Sequence, residues 1–119
     1  MVNGDGCMLM NLGALVTIAS NPANVFLVVL DNGIYVIAGG QPTAGSGRVD
    51  YPGLARAAGI QRVYAFDTYP EWRSAAAQAL SSSGPVFIWL KVEARFGQEA
   101  PHSAADQIRR LRRVLQIDI

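Results

Sequence analysis

The chain has 119 residues, is 50% hydrophobic and 16% charged, and carries a formal net charge of +1. This length and composition suit one domain with its own core and exclude an intrinsically disordered chain. The near-neutral charge gives no basis for nucleic acid or an anionic membrane as the main partner, and a single cysteine excludes an internal disulfide.

The charged residues are distributed unevenly along the chain. Residues 1–47 contain only two charged side chains, Asp5 and Asp31, and all ten basic residues lie from Arg48 onward. An uncharged segment of this kind is expected to be buried, in its own core or against another chain. Polar residues interrupt its longest uncharged stretch, which argues against a membrane span, and the first residues lack the basic-then-apolar pattern expected of a signal peptide. We therefore expect a cytoplasmic protein with no membrane partner.

The first third of the chain predicts a strand, a helix and a second strand. Residues 1–3 form a strand stub, and Gly4-Asp5-Gly6 is a tight turn. Apolar residues at near-helical spacing predict a helix over 7–19, uncharged all round and so buried on several sides. Residues 25–30 are typical of a strand buried on both faces of a parallel sheet. The glycine-rich stretch 38–47 predicts a flexible loop long enough to bind a ligand.

The remaining elements continue the alternation of helices and strands. Asp50 is positioned to cap a helix that runs through Ala58 and ends at Gly59. Thr68-Tyr69-Pro70-Glu71 is a capping box that opens a helix running to about residue 82. Strands are predicted over 61–66 and 86–92, followed by a linker over 93–102 and a last helix over 103–115. The order predicts a single domain, 1–119, with a mostly parallel sheet between helices: an α/β fold.

The strongest chemical signal joins the ends of the first two predicted strands. Gly4-Asp5-Gly6 is followed, after 25 intervening residues, by Asn32-Gly33. Parallel strands joined by a crossover helix end side by side, at the rim where open α/β sheets bind ligands. A carboxylate, a carboxamide and a helix N-terminus therefore converge, which suits a magnesium ion with a diphosphate. Gly-Asp-Gly alone is more typical of an ordinary strand-to-helix turn, but its spacing to Asn32 favours the binding site.

Other conspicuous side chains favour ordinary structural roles. His102 follows a proline in a polar linker, where a solvated position is expected. The arginines over 109–113 occupy the last turns of a helix, where bases complement the helix dipole. Trp72 and Trp89 lack the interleaved basic residues of a nucleic-acid site and are expected to pack. Asp31 neighbours Asn32, but on a strand its side chain points to the opposite face, so we expect a structural role.

These motifs resemble the thiamine-diphosphate motif of thiamine-diphosphate-dependent enzymes. The resemblance rests on Gly4-Asp5-Gly6, the 25-residue gap and Leu30-Asp31-Asn32-Gly33-Ile34-Tyr35, where many members of the family have two asparagines in place of Asp31-Asn32. The stretches Met10-Asn11-Leu12-Gly13-Ala14-Leu15, Gly39-Gly40-Gln41-Pro42-Thr43 and Val49-Asp50 most resemble phosphonopyruvate and sulfopyruvate decarboxylases. The similarity runs to about Val92, and it implies a partial, three-layer α/β/α thiamine-diphosphate-binding fold.

The resemblance also implies a ligand set. Asp5 and Asn32 would bind Mg²⁺ through side-chain oxygens, and Ile34 through its backbone carbonyl. Gly6 and Cys7, next to Gly4, would offer backbone N–H groups to the diphosphate of thiamine diphosphate. Cys7 stands where family members often have serine or alanine, so no thiol chemistry is implied. Gln41 and Thr43, in the glycine-rich loop, are the candidates for contact with substrate.

The resemblance further implies that the active site needs more than this chain. In the family, additional strands and helices precede Gly-Asp-Gly, and a separate pyrimidine-binding domain supplies the glutamate that activates the cofactor. We expect a sheet edge left bare to be covered by another chain, since open apolar edges pair with other strands. The predicted partners are a second copy, giving at least a dimer, and a complementing subunit that carries the pyrimidine-binding domain.

Two functions follow as alternatives. In one, the chain is the Mg²⁺/thiamine-diphosphate half of a 2-oxo acid decarboxylase, inactive alone and completed by another polypeptide. In the other, it is a non-catalytic remnant that folds and self-associates without binding the cofactor tightly. A flavodoxin-like nucleotide binder is disfavoured because the chain lacks a glycine-rich phosphate loop.

Overall fold

The computed structural model describes residues 1–21, 23–96 and 104–115. Six strands and five helices lie in these ranges: β1 (Val2–Gly4), α1 (Asp5–Met10), α2 (Gly13–Ala19), β2 (Phe26–Asp31), β3 (Ile34–Tyr35), β4 (Gln41–Pro42), α3 (Tyr51–Ala57), β5 (Arg62–Phe66), α4 (Tyr69–Ser81), β6 (Val86–Lys91) and α5 (Ala104–Leu115). None of these helices is long and apolar enough to cross a membrane.

A parallel sheet of four strands forms the centre of the domain, in the order β1-β2-β6-β5. Side chains alternate between its two faces, and each face carries its own core. On one face α1, α2 and α3 cover a cluster that includes Met8, Leu15, Leu27, Tyr51 and Phe87. The α/β fold and its three layers are therefore as predicted.

The opposite face of the sheet is covered by α4 over β5 and β6. Ala79 of this helix is fully buried against Val86 and Ile88 of β6. Trp72 packs on Phe66 with ring centroids 5.5 Å apart, which fits the packing role expected for this tryptophan. Helix packing on both faces explains why the strands of this sheet are apolar on both sides.

The predicted helix caps are present. Asp50 accepts a hydrogen bond from the Gly53 backbone N–H at 2.8 Å at the start of α3. The side chains of Thr68 and Glu71 form both hydrogen bonds of a capping box at the start of α4. Gly59, just beyond α3, has a φ of +106°, the left-handed conformation that glycine adopts without strain. These boundaries match the predicted ones to within one or two residues.

The single helix predicted over 7–19 is wrong in one respect, because the structure divides it into α1 and α2. Asn11 leaves the helical conformation, with a φ of −144° and a ψ of 55°, and ends α1. Asparagine competes with helical hydrogen bonding, and Gly13 shortly after it has little helix propensity. Burial on several sides is also not observed, since Met10 is 76% exposed and Val16 56% exposed. Within this chain, the uncharged segment is only partly covered.

The loop predicted over 38–47 is more ordered than its composition suggests. Residues 34–35 and 41–42 pair as a short antiparallel ribbon, β3 with β4, and the residues between them form turns. A backbone hydrogen bond from Gly40 N–H to the Tyr35 carbonyl, at 2.8 Å, closes the ribbon. The loop therefore folds back onto the carboxyl end of β2.

Candidate functional site

The carboxyl ends of β1 and β2 lie side by side, because Gly4 pairs with Leu30 in the parallel register. A cavity of about 310 Å³ opens at this rim. All six residues predicted to bind the cofactor line it, namely Gly4, Asp5, Gly6, Cys7, Asn32 and Ile34, together with Tyr35, Val36, Ile37 and Ala38. The structure thus brings the whole predicted set together at one place, although its residues come from two segments 25 residues apart.

Asp5 is the buried acid of this site, with only 2% of its surface exposed. Its carboxylate oxygen Oδ2 accepts a hydrogen bond from the Thr43 hydroxyl at 2.8 Å. None of the ion pairs in the described part of the chain includes Asp5. A buried carboxylate without a positive partner is costly, so this position favours a bound cation.

Asn32 and Ile34 form a tight turn directly after β2. The Asn32 side-chain oxygen Oδ1 accepts a hydrogen bond from the Ile34 backbone N–H at 3.0 Å, which fixes the carboxamide at the cavity wall. Gly33 between them has a φ of +73°, and a Cβ there would lie 2.6 Å from the Ser46 hydroxyl oxygen. The turn therefore needs glycine at this position.

A cation at this site would have to be held by mixed oxygen donors. Over residues 1–21, 23–96 and 104–115, no group of three or more His, Cys, Asp or Glu side chains is placed to hold a metal ion. The available donors are one carboxylate, one carboxamide and backbone carbonyls, which are hard oxygen ligands of the kind that Mg²⁺ accepts beside phosphate oxygens. The donor set fits the metal implied by the sequence.

The first turn of α1 borders the same cavity. The first backbone N–H groups of a helix have no intrahelical partners. The N-cap here is Gly4, so no side chain accepts a hydrogen bond from them. Gly6 lies under the ring of Tyr35, and a Cβ added there would lie 2.3 Å from Cε1 of that ring. Cys7 is exposed and its thiol is free. Glycine at position 6 lets the backbone approach both Tyr35 and the cavity.

The electrostatic environment of the site is negative. Burial, followed by the negative charges of Asp5 and Asp31 and a smaller effect of Tyr35, raises the pKa of Tyr51 to about 12. The Tyr51 hydroxyl donates to the backbone carbonyl oxygen of Asp5 at 3.5 Å. The contributions of Asp5 and Asp31 to this shift reflect nearby negative charge, which would also attract a metal cation.

Asp31 has partners of its own and does not line this cavity. Its carboxylate forms an ion pair with the Lys91 ammonium group, with 3.3 Å between Oδ1 and Nζ. The indole N–H of Trp89 donates to the other oxygen, Oδ2, at 3.1 Å. Asp31 therefore joins β2 to β6, in agreement with the structural role expected for it.

The two residues predicted to contact substrate differ in their surroundings. Gln41 is exposed on β4. Thr43 is only 3% exposed, and its hydroxyl is directed at Asp5. The sequence analysis missed this contact and the positions of Tyr35 and Tyr51, because they depend on how residues 33–51 fold over Asp5. The one indication in the sequence was that Tyr35 directly follows Gly33-Ile34 and so had to lie near the predicted site.

The remaining candidates lie away from the cavity. The four arginines between residues 109 and 113 are exposed on α5, and Arg109 pairs with Asp106 one turn earlier. This agrees with the solvated helix face predicted for them. His102, Ser103 and most of the predicted linker fall outside the described residues.

Comparison with known proteins identifies relatives. Residues 1–90 match the family model described as thiamine pyrophosphate enzyme, C-terminal TPP binding domain. The chain is 38% identical over 116 residues to phosphonopyruvate decarboxylase of Streptomyces hygroscopicus, covering 92% of this chain and 29% of that protein. It is 40% identical over 93 residues to phosphonopyruvate decarboxylase of Streptomyces viridochromogenes, covering 77% and 23%.

One relative is named as the subunit of an enzyme. The chain is 38% identical over 95 residues to sulfopyruvate decarboxylase subunit beta of Methanothermobacter thermautotrophicus, covering 78% of this chain and 48% of that subunit. The chain therefore spans less than half the length of each of these three curated relatives. The matched region contains β1, β2 and the cavity between their ends.

Proposed function

Because the chain belongs to the family of C-terminal TPP-binding domains of thiamine pyrophosphate enzymes, we propose that it anchors the diphosphate of thiamine diphosphate through Mg²⁺. The single observation that supports this most directly is Asp5, a buried carboxylate with no cationic partner among the described residues, at the wall of a cavity. A divalent cation would neutralise that charge, and the cation in turn would attract a diphosphate.

Five of the predicted residues bind the metal or the diphosphate in this proposal. Asp5 and Asn32 would bind Mg²⁺ through side-chain oxygens, and Ile34 through its carbonyl oxygen. The backbone N–H groups of Gly6 and Cys7, in the uncapped first turn of α1, would donate to the diphosphate. Thiamine diphosphate, when bound, supplies the electron sink that lets a 2-oxo acid lose CO₂. The residues of this chain hold and orient it.

We further propose that the substrate is a 2-oxo acid of the phosphonopyruvate or sulfopyruvate type. The support is the names of the relatives, all decarboxylases of these two acids, and a match that reaches 92% of this chain. Decarboxylation would require a complementing domain or subunit. Support comes from the relative named as a beta subunit.

Association with another copy or another chain is part of the same proposal. Met1 and Val2, at the β1 edge of the sheet, are each 67% exposed, and Met10 and Val16 are exposed on α1 and α2. Exposed apolar side chains near an unpaired strand edge are typical of a surface that another chain covers. We place the protein in the cytoplasm, where a free and exposed Cys7 thiol stays reduced.

The decisive experiment is a calorimetric titration of the chain with thiamine diphosphate, once with MgCl₂ and once with EDTA. We expect heat of binding that depends on Mg²⁺ and disappears in Asp5→Ala. The matched control is Asp31→Asn, which removes a second buried carboxylate but not a proposed ligand, and which should still bind the cofactor. No heat at millimolar thiamine diphosphate would contradict the proposal and favour a non-catalytic domain kept for its fold or self-association.

A further inference from the structure

Thr43 contacts both halves of the proposed ligand set. Its side-chain hydroxyl donates to Oδ2 of Asp5 at 2.8 Å, and its backbone N–H donates to the carbonyl oxygen of Gly33 at 2.9 Å. Asp5 follows β1, and Gly33 lies between Asn32 and Ile34 after β2. One residue therefore joins the carboxylate on one strand end to the turn that presents the other two oxygens.

We propose that Thr43 is a positioning residue that fixes the spacing between Asp5 and the Asn32–Ile34 turn, and thereby makes the site selective for Mg²⁺. The inference rests on the proposed function, because it concerns the same metal site. It assigns Thr43 a role different from contact with substrate, since the buried hydroxyl is engaged by Asp5.

The hydrogen bond from Thr43 fixes the orientation of the Asp5 carboxylate. Over the described residues it is the one hydrogen bond that the carboxylate oxygens of Asp5 accept, and it occupies Oδ2. The other oxygen, Oδ1, is left for a cation. Because Thr43 is only 3% exposed, water has little access to replace this hydroxyl if it is removed. Hydrogen-bonded neighbours of metal ligands commonly orient them in this way.

The surrounding loop holds Thr43 rigidly in place. Pro42, directly before it, pairs with Ile34 in the β3–β4 ribbon. The carbonyl oxygen of Thr43 accepts a hydrogen bond from the Ser46 backbone N–H at 2.9 Å. The backbone N–H and carbonyl groups of Thr43 are thus both hydrogen-bonded, which fixes the position of its side chain relative to Asp5. A rigid spacer of this kind matters most for a metal with strict geometry.

Magnesium and calcium differ in that requirement. Mg²⁺ needs a near-ideal octahedron with ligands at about 2.0–2.1 Å, whereas Ca²⁺ accepts a looser set at about 2.3–2.6 Å. Thr43→Val keeps the side-chain volume but removes the hydroxyl, so Asp5 would lose its orientation. We expect Mg²⁺ to bind about 10- to 100-fold more weakly in this variant, the range found when a metal ligand loses its hydrogen-bond partner. Ca²⁺ should be affected less.

The test titrates MgCl₂, and separately CaCl₂, into wild type, Thr43→Val and Thr43→Ser in the presence of excess thiamine diphosphate. Thr43→Ser retains a hydroxyl and should restore most of the Mg²⁺ affinity and the preference for Mg²⁺ over Ca²⁺. Urea unfolding in EDTA checks that each variant folds. If Thr43→Val does not fold, Thr43→Ala replaces it, with the same expectation.

The outcomes separate this inference from the function on which it rests. Equal affinities of Thr43→Val and wild type for both metals would overturn the role of Thr43 and leave the proposed function intact. Equal losses in Thr43→Val and Thr43→Ser, or an equal fold-loss for Mg²⁺ and Ca²⁺, would also overturn it. If wild type shows no metal-dependent binding of thiamine diphosphate, the proposed function fails and this inference fails with it.

Discussion

The raised pKa of Tyr51 makes the stability of the domain sensitive to alkaline pH. Burial and the nearby charges of Asp5 and Asp31 raise this pKa from 10.0 to about 12 in the folded chain. The unfolded chain loses the tyrosine proton near pH 10, while the folded chain retains it until about pH 12. Between these values the unfolded state binds fewer protons, so the free energy of unfolding falls as the pH rises.

The size of this effect follows from the shift. One pKa unit corresponds to about 1.4 kcal/mol, so Tyr51 should remove about 1.4 kcal/mol of stability by pH 11 and about 3 kcal/mol above pH 12. The contribution is fully present below pH 10. Tyr51→Phe keeps the buried ring but cannot ionise, so its stability should lack this part of the pH dependence.

The assay is urea unfolding of wild type and Tyr51→Phe at intervals from pH 8 to pH 11, in EDTA. The difference in unfolding free energy between the two proteins should be constant up to pH 10 and then move against wild type. Subtracting the variant removes the contribution of every other group that titrates in this range. A difference that stays constant through pH 11 would refute the reasoning, and so would a phenolate absorbance change assigned to Tyr51 near pH 10.

Three further predictions test the site and the fold. Gly6→Ala should weaken thiamine diphosphate binding, because the new methyl group meets the Tyr35 ring at 2.3 Å. Gly13→Ala, at the first residue of α2 and with open space around it, is the matched control and should leave binding unchanged. Thr68→Ala removes the α4 cap and should cost about 1 kcal/mol in urea unfolding, and an unchanged midpoint would contradict the capping role. Phe87→Ala should cost about 3–5 kcal/mol, since Phe87 is fully buried in the sheet, and a loss below 1 kcal/mol would contradict that packing.

The features predicted well from the sequence are those set by neighbouring residues. Asp50 and Thr68 cap their helices through groups only three residues away, so the residue types alone determine the contact. The parallel sheet follows from short apolar runs separated by helices. The convergence of Asp5 and Asn32 follows in turn, because both come directly after paired strands.

The features missed depend on contacts between distant residues or on local backbone choice. The Thr43 hydroxyl reaches Asp5 across 38 residues, and nothing in Gly39-Gly40-Gln41-Pro42-Thr43 distinguishes this loop from a mobile one. The break between α1 and α2 at Asn11 could not be predicted, because apolar residues continue at helical spacing on both sides of it. Hydrophobic periodicity reports which residues can share a face, but it does not report where the backbone hydrogen bonds stop.

Residues 1–47, the segment with only two charged side chains, contain two energetically unfavourable features. Asp5 is buried without a cation among its described neighbours, and the apolar side chains of Met10 and Val16 remain exposed. Large apolar side chains are exposed in later elements as well, such as Tyr69 and Leu80 of α4, but residues 1–47 also bury a carboxylate under an ordered loop. That combination is costly for a free-standing domain. This arrangement is expected if a cation with its diphosphate neutralises Asp5 and another chain covers the exposed apolar side chains.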